Sequence, residues 1–155
     1  MNFKIETIPH SAQRYDTVGD YFYRHINEIF IRVSDFSAAV AHSNSLLDEN
    51  EVKQAEKYEF CVMIHEFVEA FLCHQDGIKC EDIDRFDLNH LDEDEPGANP
   101  EAPYHTQHMM ATEVEKLVCS ILGVDWDEYD KAVRLISGKI EETNASTSTS
   151  NATQA

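Results

Sequence analysis

The sequence predicts an α+β domain in which a small antiparallel sheet, a β-hairpin plus one strand, packs on a central helix and two further C-terminal helices. Strand-like alternation is confined to the first 35 residues, residues 51–75 lack Gly and Pro, and the segments after Pro103 carry helical spacing between glycine stops. With 155 residues, 42% of them hydrophobic, the chain has the apolar mass for one core. A single domain over residues 1–140 is expected.

Residues 28–34 place Ile29, Ile31 and Val33 on one face and Glu28, Phe30 and Arg32 on the other, the period of a half-buried strand. Residues 17–23 are rich in aromatic and β-branched side chains, and Arg24 to Asn27 is a short polar link, so the two segments should form a hairpin. Residues 3–8 are the third strand, stopped by Pro9. Residues 35–50 have no regular pattern and read as a loop or short helix.

The central helix, residues 51–75, carries Phe60, Cys61, Ile64, Val68, Phe71 and Leu72 as a broad apolar stripe, with Gly77 as its left-handed stop. Residues 81–86 suggest a short helix, and residues 87–103, with an acidic run and two prolines before Pro103, suggest a long loop of the length that serves function. A helix should open at Pro103 and close at Gly123, with Met109, Val114, Leu117, Val118 and Ile121 as its buried positions. Asp125, three residues before Glu128, caps a last helix that ends at Gly138. From Glu141 onward Ser, Thr, Asn and Ala predominate, so a disordered tail is expected there. Its two Asn-x-Ser/Thr matches carry no consequence in a chain read as lacking a secretory signal.

Thirty Asp and Glu against twelve Lys and Arg give a net charge of −18, which repels phosphate backbones and argues against nucleic acid as partner. No apolar run approaches the roughly 20 residues that span a bilayer, so no membrane association is expected and the default compartment is the cytoplasm. There, Cys61, Cys73, Cys80 and Cys119, set among apolar neighbours, read as buried thiols rather than disulfides. Cys73-His74 followed by Cys80 lacks the paired spacing of a zinc finger.

The chemistry-bearing pattern is Ile64-His65-Glu66-Phe67-Val68-Glu69. On a helix, His65 and Glu69 share a face one turn apart with Glu66 beside them, so two side chains address one cation while a carboxylate stands next to it. Because Glu is abundant, His-Glu-x-x-Glu arises by chance in about a tenth of sequences of this composition. Its position among apolar neighbours adds weight, since unpaired carboxylates there are costly. Further ligands are offered by His105 and His108, three apart at the start of the next long helix. Asp84, Asp87 and His90 are candidates to support them, whereas Glu113 and Glu115, beside Lys116, read as a solvated face. The competing reading is a hydrogen-bonded cluster without metal.

A β-hairpin, a helix bearing His65-Glu66-x-x-Glu69, and later helices with His105 and His108 resemble the minimal zincin fold of small metallopeptidases over residues 17–122. That resemblance implies His65 as the first zinc ligand, Glu66 as general base, Glu69 in place of the usual second histidine, and His105 or His108 as the third ligand. The added carboxylate makes Mn2+ or Fe2+ more competitive, with Zn2+ the first choice. The chain is also similar to small phage and bacterial proteins that share Ile31-Arg32-Val33-Ser34-Asp35, Pro103-Tyr104-His105 and Leu122-Gly123-Val124-Asp125-Trp126. The expected function is a metal-dependent, peptidase-like hydrolase acting on a peptide or protein substrate. The alternatives are an acidic, metal-stabilised interaction protein that docks a basic protein partner, and a two-metal carboxylate protein using Glu66, Glu69, His105, His108 and Glu113.

Overall fold

The structure, a computed structural model, describes residues 1–25, 27–41 and 46–138. Three strands, β1 (Asn2–Ile8), β2 (Gly19–His25) and β3 (Glu28–Ser34), form a sheet in the order β1-β3-β2. The alternation read in residues 28–34 has its expected result. Ile29, Ile31 and Val33 are buried, while Phe30 lies on the outer face, stacked on Phe22 at 5.2 Å between ring centroids.

The sheet is mixed rather than wholly antiparallel. β2 and β3 are the expected hairpin, but β1 runs parallel to β3, with Ile8 opposite Ser34. The reason is the position of β1 on the far side of the hairpin. Gly19 pairs with Val33, so residues 9–18 need only cross the end of β3 to start β2 on the opposite edge. Buried Ser34 anchors the crossing: its hydroxyl lies 3.1 Å from His10 Nδ1 and accepts from Gln13 Nε2 at 3.1 Å.

After the short helix α1 (Ser37–Val40), α2 (Glu49–Gln75) starts at Asp48, whose side chain accepts from the Asn50 and Glu51 amides while Glu51 returns the bond. This capping box sets the start two residues before the predicted one. α2 packs on β2 and β3 and also against α4 (His105–Leu122). α3 (Cys80–Leu88) and α5 (Trp126–Ile136) flank that pair, α5 capped by Asp125 accepting from the Glu128 amide at 3.0 Å. Gly77, Gly123 and Gly138 all have positive φ at the predicted helix stops. Cys61, Cys73 and Cys119 are buried thiols and Cys80 is partly buried. Among the described residues no helix is long and apolar enough to cross a membrane. The tail predicted from Glu141 onward lies outside the described residues.

The apolar positions assigned to α4 need correction. Met109, Val114, Leu117 and Ile121 are exposed, Ile121 by 73%, and the buried residues are Ala111, Glu115 and Cys119, with Val118 packed at the margin. Likewise Phe60 and Phe71 of α2 are exposed by 43% and 40%, whereas Ala55, Cys61, Val62, Ala70 and Cys73 lie inside. Small side chains let α2 and α4 approach closely. Cys61 and Cys119 touch at 3.3 Å between sulfurs, and polar side chains occupy the rest of the seam.

Candidate metal centre

Successive contacts along the seam pair Cys61 with Cys119, His65 with Glu115, and Glu69 with His108, so α2 and α4 run antiparallel. The one-turn spacing of His65 and Glu69 points both into the seam, and His108 meets them from the first turn of α4. His65 Nε2 lies 3.3 Å from Glu69 Oε2 and 3.2 Å from His108 Nδ1, and His108 Nδ1 lies 2.8 Å from Glu69 Oε2. These three atoms form a group able to hold a metal ion. Two ligand atoms about 2.1 Å from one ion and roughly 80–110° apart stand about 2.7–3.4 Å from each other, so the observed separations fit a common cation.

The tautomers follow from the partners. His65 Nδ1 is 2.9 Å from Glu115 Oε2, and since a carboxylate only accepts, Nδ1 carries the hydrogen and the neutral ring aims the Nε2 lone pair inward. For His108, Nδ1 faces the centre and Nε2 is buried without a hydrogen-bond partner. Two imidazole nitrogens facing each other at 3.2 Å require a shared proton or a cation between them. Without metal that proton rests on His65. Burial acts to lower its pKa, but Glu115 and Glu69 outweigh this and hold it well above the ordinary histidine value. Burial acts to raise the Glu69 pKa, and the hydrogen bonds of His108 and His65 overcome it, bringing Glu69 down to about 2.

Glu115 is the residue that the sequence reading missed. Far from forming a solvated face, it is 7% exposed, holds His65 Nδ1 and accepts from the Tyr129 hydroxyl. A ligating histidine is commonly fixed by such a carboxylate. The signal was present in the spacing of His108, Ala111, Glu115 and Cys119, which share one face of α4. Glu113 lies on the other side, paired with Lys116 at 3.0 Å.

Glu66 is half-buried beside the triad, and desolvation, reinforced by Glu69 and Asp20, raises its pKa well above the usual carboxylate range despite the opposing effect of His65. Its carboxylate rests on Gly19 of β2: a Cβ there would stand 2.3 Å from Glu66 Oε1, so a larger residue would push the carboxylate out of its present place. Gly97 makes the matching approach from the long loop, where a Cβ would come within 2.6 Å of His108 Cγ. The two glycines thus close on the site from opposite elements.

His105 is not part of the triad; its Nδ1 lies 3.1 Å from the Gly97 carbonyl, which ties the loop to α4. Of the three residues considered as supports, Asp84 accepts from Arg14 at 3.0 Å and His90 bonds the Phe86 carbonyl at 2.7 Å. Asp87 accepts from the Tyr104 hydroxyl at 2.6 Å, and burial pushes its pKa up to about 6.

The triad and Glu66 open onto a cavity of about 430 Å³ bounded by β2, α2, α3, α4 and α5. The long loop between α3 and α4 supplies Leu91 and residues 93–97 to its wall. That loop is held in place, since Asn99 Nδ2 donates to Glu93 at 2.8 Å and Arg134 donates to Asp94 at 2.6 Å. Comparison with protein families, characterised proteins and solved structures found no match to this chain.

Proposed function

We propose that the protein is a metal-dependent hydrolase of peptidase-like type, with Zn2+ held by His65, Glu69 and His108 and with Glu66 as general base. The observation that carries this reading is the convergence of two imidazole nitrogens and one carboxylate oxygen, 2.8–3.3 Å apart, on a cavity into which Glu66 brings a further carboxylate outside the triad. A divalent cation bound there supplies a Lewis acid for a carbonyl and makes water a stronger acid. Two histidines and one glutamate form a donor set well suited to zinc in hydrolysis, and Mn2+ or Fe2+ are the competing ions.

The protein's own groups do the rest. Glu115 fixes the His65 ring and its tautomer. Glu66, with its pKa raised well above the usual carboxylate range, takes a proton from the attacking water and returns it to the leaving amine. Gly19 leaves room for that carboxylate, and the Gly97 loop covers His108.

Glu66→Gln tests the assignment. It keeps volume and removes the base, so metal content should stay at the wild-type level while cleavage of a peptide library falls about 10² to 10⁴-fold. Unchanged turnover in metal-loaded Glu66→Gln would refute the role. A second reading is favoured by the exposed row Met110, Leu117 and Ile121 on α4: the metal ties α2 to α4 and the outer face docks a partner. Under it, wild-type protein cleaves nothing and Glu66→Gln alters nothing.

A further inference from the structure

The triad and its cavity lie on one side of the seam between α2 and α4, and the other side is apolar. On α2, Ile64 and Val68 each stand one residue before a member of the triad, and on α4 Val114 stands one residue before Glu115, so each points about 100° round its helix from the seam. That rotation is opposite to the one that brings Glu66 and Thr112 from the same helices into the cavity wall, and Ile64, Val68 and Val114 do not line it. Because α2 and α4 are antiparallel, both rotations end on the same side of the seam. Exposed Phe60 and Phe71 extend this flank along α2, and Met110, Leu117 and Ile121, each more than half exposed, continue it over the outer surface of α4.

The face is uncharged in a chain of net charge −18. From Phe60 to Leu72 the acidic, basic and imidazole side chains of α2 are His65, Glu66 and Glu69, and all three face the seam or the cavity. From Met110 to Leu122, α4 carries buried Glu115 and the ion pair of Glu113 with Lys116, 3.0 Å apart. Exposed large apolar side chains with few charges among them are the composition of an interface core. The fractional exposures amount to about 600 Å² of accessible surface, as much as the largest apolar patch of a typical monomer. With a rim that includes Ser120 and the Glu113 and Lys116 pair, the face approaches the ~800 Å² that each partner gives to a standard interface. Residues 42–45, His-Ser-Asn-Ser, and residues 139–155, with Ile140 as their one large apolar side chain, lack the apolar surface to cover it.

A basic partner finds no counter-charge on this face, whereas a second copy brings the same uncharged apolar surface to it. Met110, Val114, Leu117 and Ile121 recur at spacings of four, three and four, with β-branched Val114 and Ile121 on either side of Leu117, the heptad order by which a helix packs against its like. We propose that this face is a homodimer interface, in which the α2 and α4 pairs of two copies stack about a two-fold axis into a four-helix layer. Self-association is independent of the chemistry at the metal centre. The cavity opens on the opposite side of the seam, so both cavities of the dimer stay accessible.

The test is sedimentation equilibrium of untagged full-length protein, which should give the mass of two chains at about 10 µM. Two chains of charge −18 repel one another away from the neutral face, so the dimer should tighten about threefold or more between about 50 mM and about 500 mM NaCl. Leu117→Glu and Ile121→Glu, each changing an exposed side chain, should keep the wild-type circular dichroism spectrum and dissociate about a hundredfold more readily, since each dimer would bury two unpaired carboxylates. Leu88→Glu, at an exposed position of α3, should remain dimeric. Wild-type protein of one-chain mass at about 100 µM in about 500 mM NaCl would overturn the proposal. Association that loosens as salt rises would also overturn it, as the signature of charge-paired docking. So would folded Leu117→Glu and Ile121→Glu proteins that associate as the wild type does, or dissociation caused equally by Leu88→Glu.

Discussion

Glu115 can be removed in two ways that separate its effects. It satisfies two buried donors at once, His65 Nδ1–H at 2.9 Å and the hydroxyl of Tyr129, which is 2% exposed. Glu115→Ala leaves both without an acceptor. Each orphaned buried donor costs about 1–3 kcal/mol, so a loss of about 2–5 kcal/mol is expected, or roughly 5–15 °C in Tm for a domain of this size. Glu115→Gln is milder. Its amide oxygen accepts from His65 and its NH2 donates to the Tyr129 oxygen, so packing survives, but the carboxylate that made His65 a stronger ligand is gone. Zinc affinity should fall about 10 to 100-fold. Thermal unfolding by circular dichroism and zinc competition with a chromophoric chelator measure the two effects. Wild-type zinc affinity in Glu115→Gln together with wild-type Tm in Glu115→Ala would show that Glu115 neither orients His65 nor supports the fold.

Three further outcomes follow from the same geometry. Gly97→Ala forces its Cβ against the His108 ring at 2.6 Å, so zinc affinity should fall about tenfold with a smaller change in Tm, and unaltered affinity would show that the loop yields freely. In the metal-free protein His65 keeps its proton to a pH well above its ordinary value, and a zinc ion must displace that proton. Zinc affinity should therefore rise with pH, about tenfold per unit across pH 6 to 8, with one proton released per ion in calorimetry, and a flat profile would contradict the assignment. Deleting residues 141–155, which contain no large apolar side chain, should leave Tm within a few degrees of the full chain, and a larger drop would show that the tail docks.

The sequence made most of the elements legible because their signals are local. Alternation at Ile29, Ile31 and Val33, the Asp125 cap and the glycine stops act within a few residues, and the structure has all of them. The parallel placement of β1 was not legible, since it depends on which edge of the hairpin the first strand occupies. The inner face of α4 was misread for a related reason. Helical periodicity marks an apolar stripe without saying that it is buried, and here Val114, Leu117 and Ile121 face outward while His108, Ala111, Glu115 and Cys119 form the seam. The seam requires that exchange, because two helices that bring His65, Glu69 and His108 together need small and polar residues between them. His65 and Glu69 were readable as a pair from their spacing alone. Choosing His108 over His105, and finding Glu115, required the register of α4 against α2, which no local pattern carries.

The most direct test is elemental analysis of untagged protein, wild type beside His108→Ala, with circular dichroism to establish that both are folded. His108 gives one of the three converging atoms, so its removal empties the site; it also takes from buried Glu69 its 2.8 Å partner, which is why circular dichroism accompanies the metal analysis. The expected result is about one zinc, manganese or iron per wild-type chain and under about a tenth of that in folded His108→Ala. A metal-free wild type that also fails to take up added zinc, or equal loading of the two proteins, would contradict the assignment of His65, Glu69 and His108 as a metal centre.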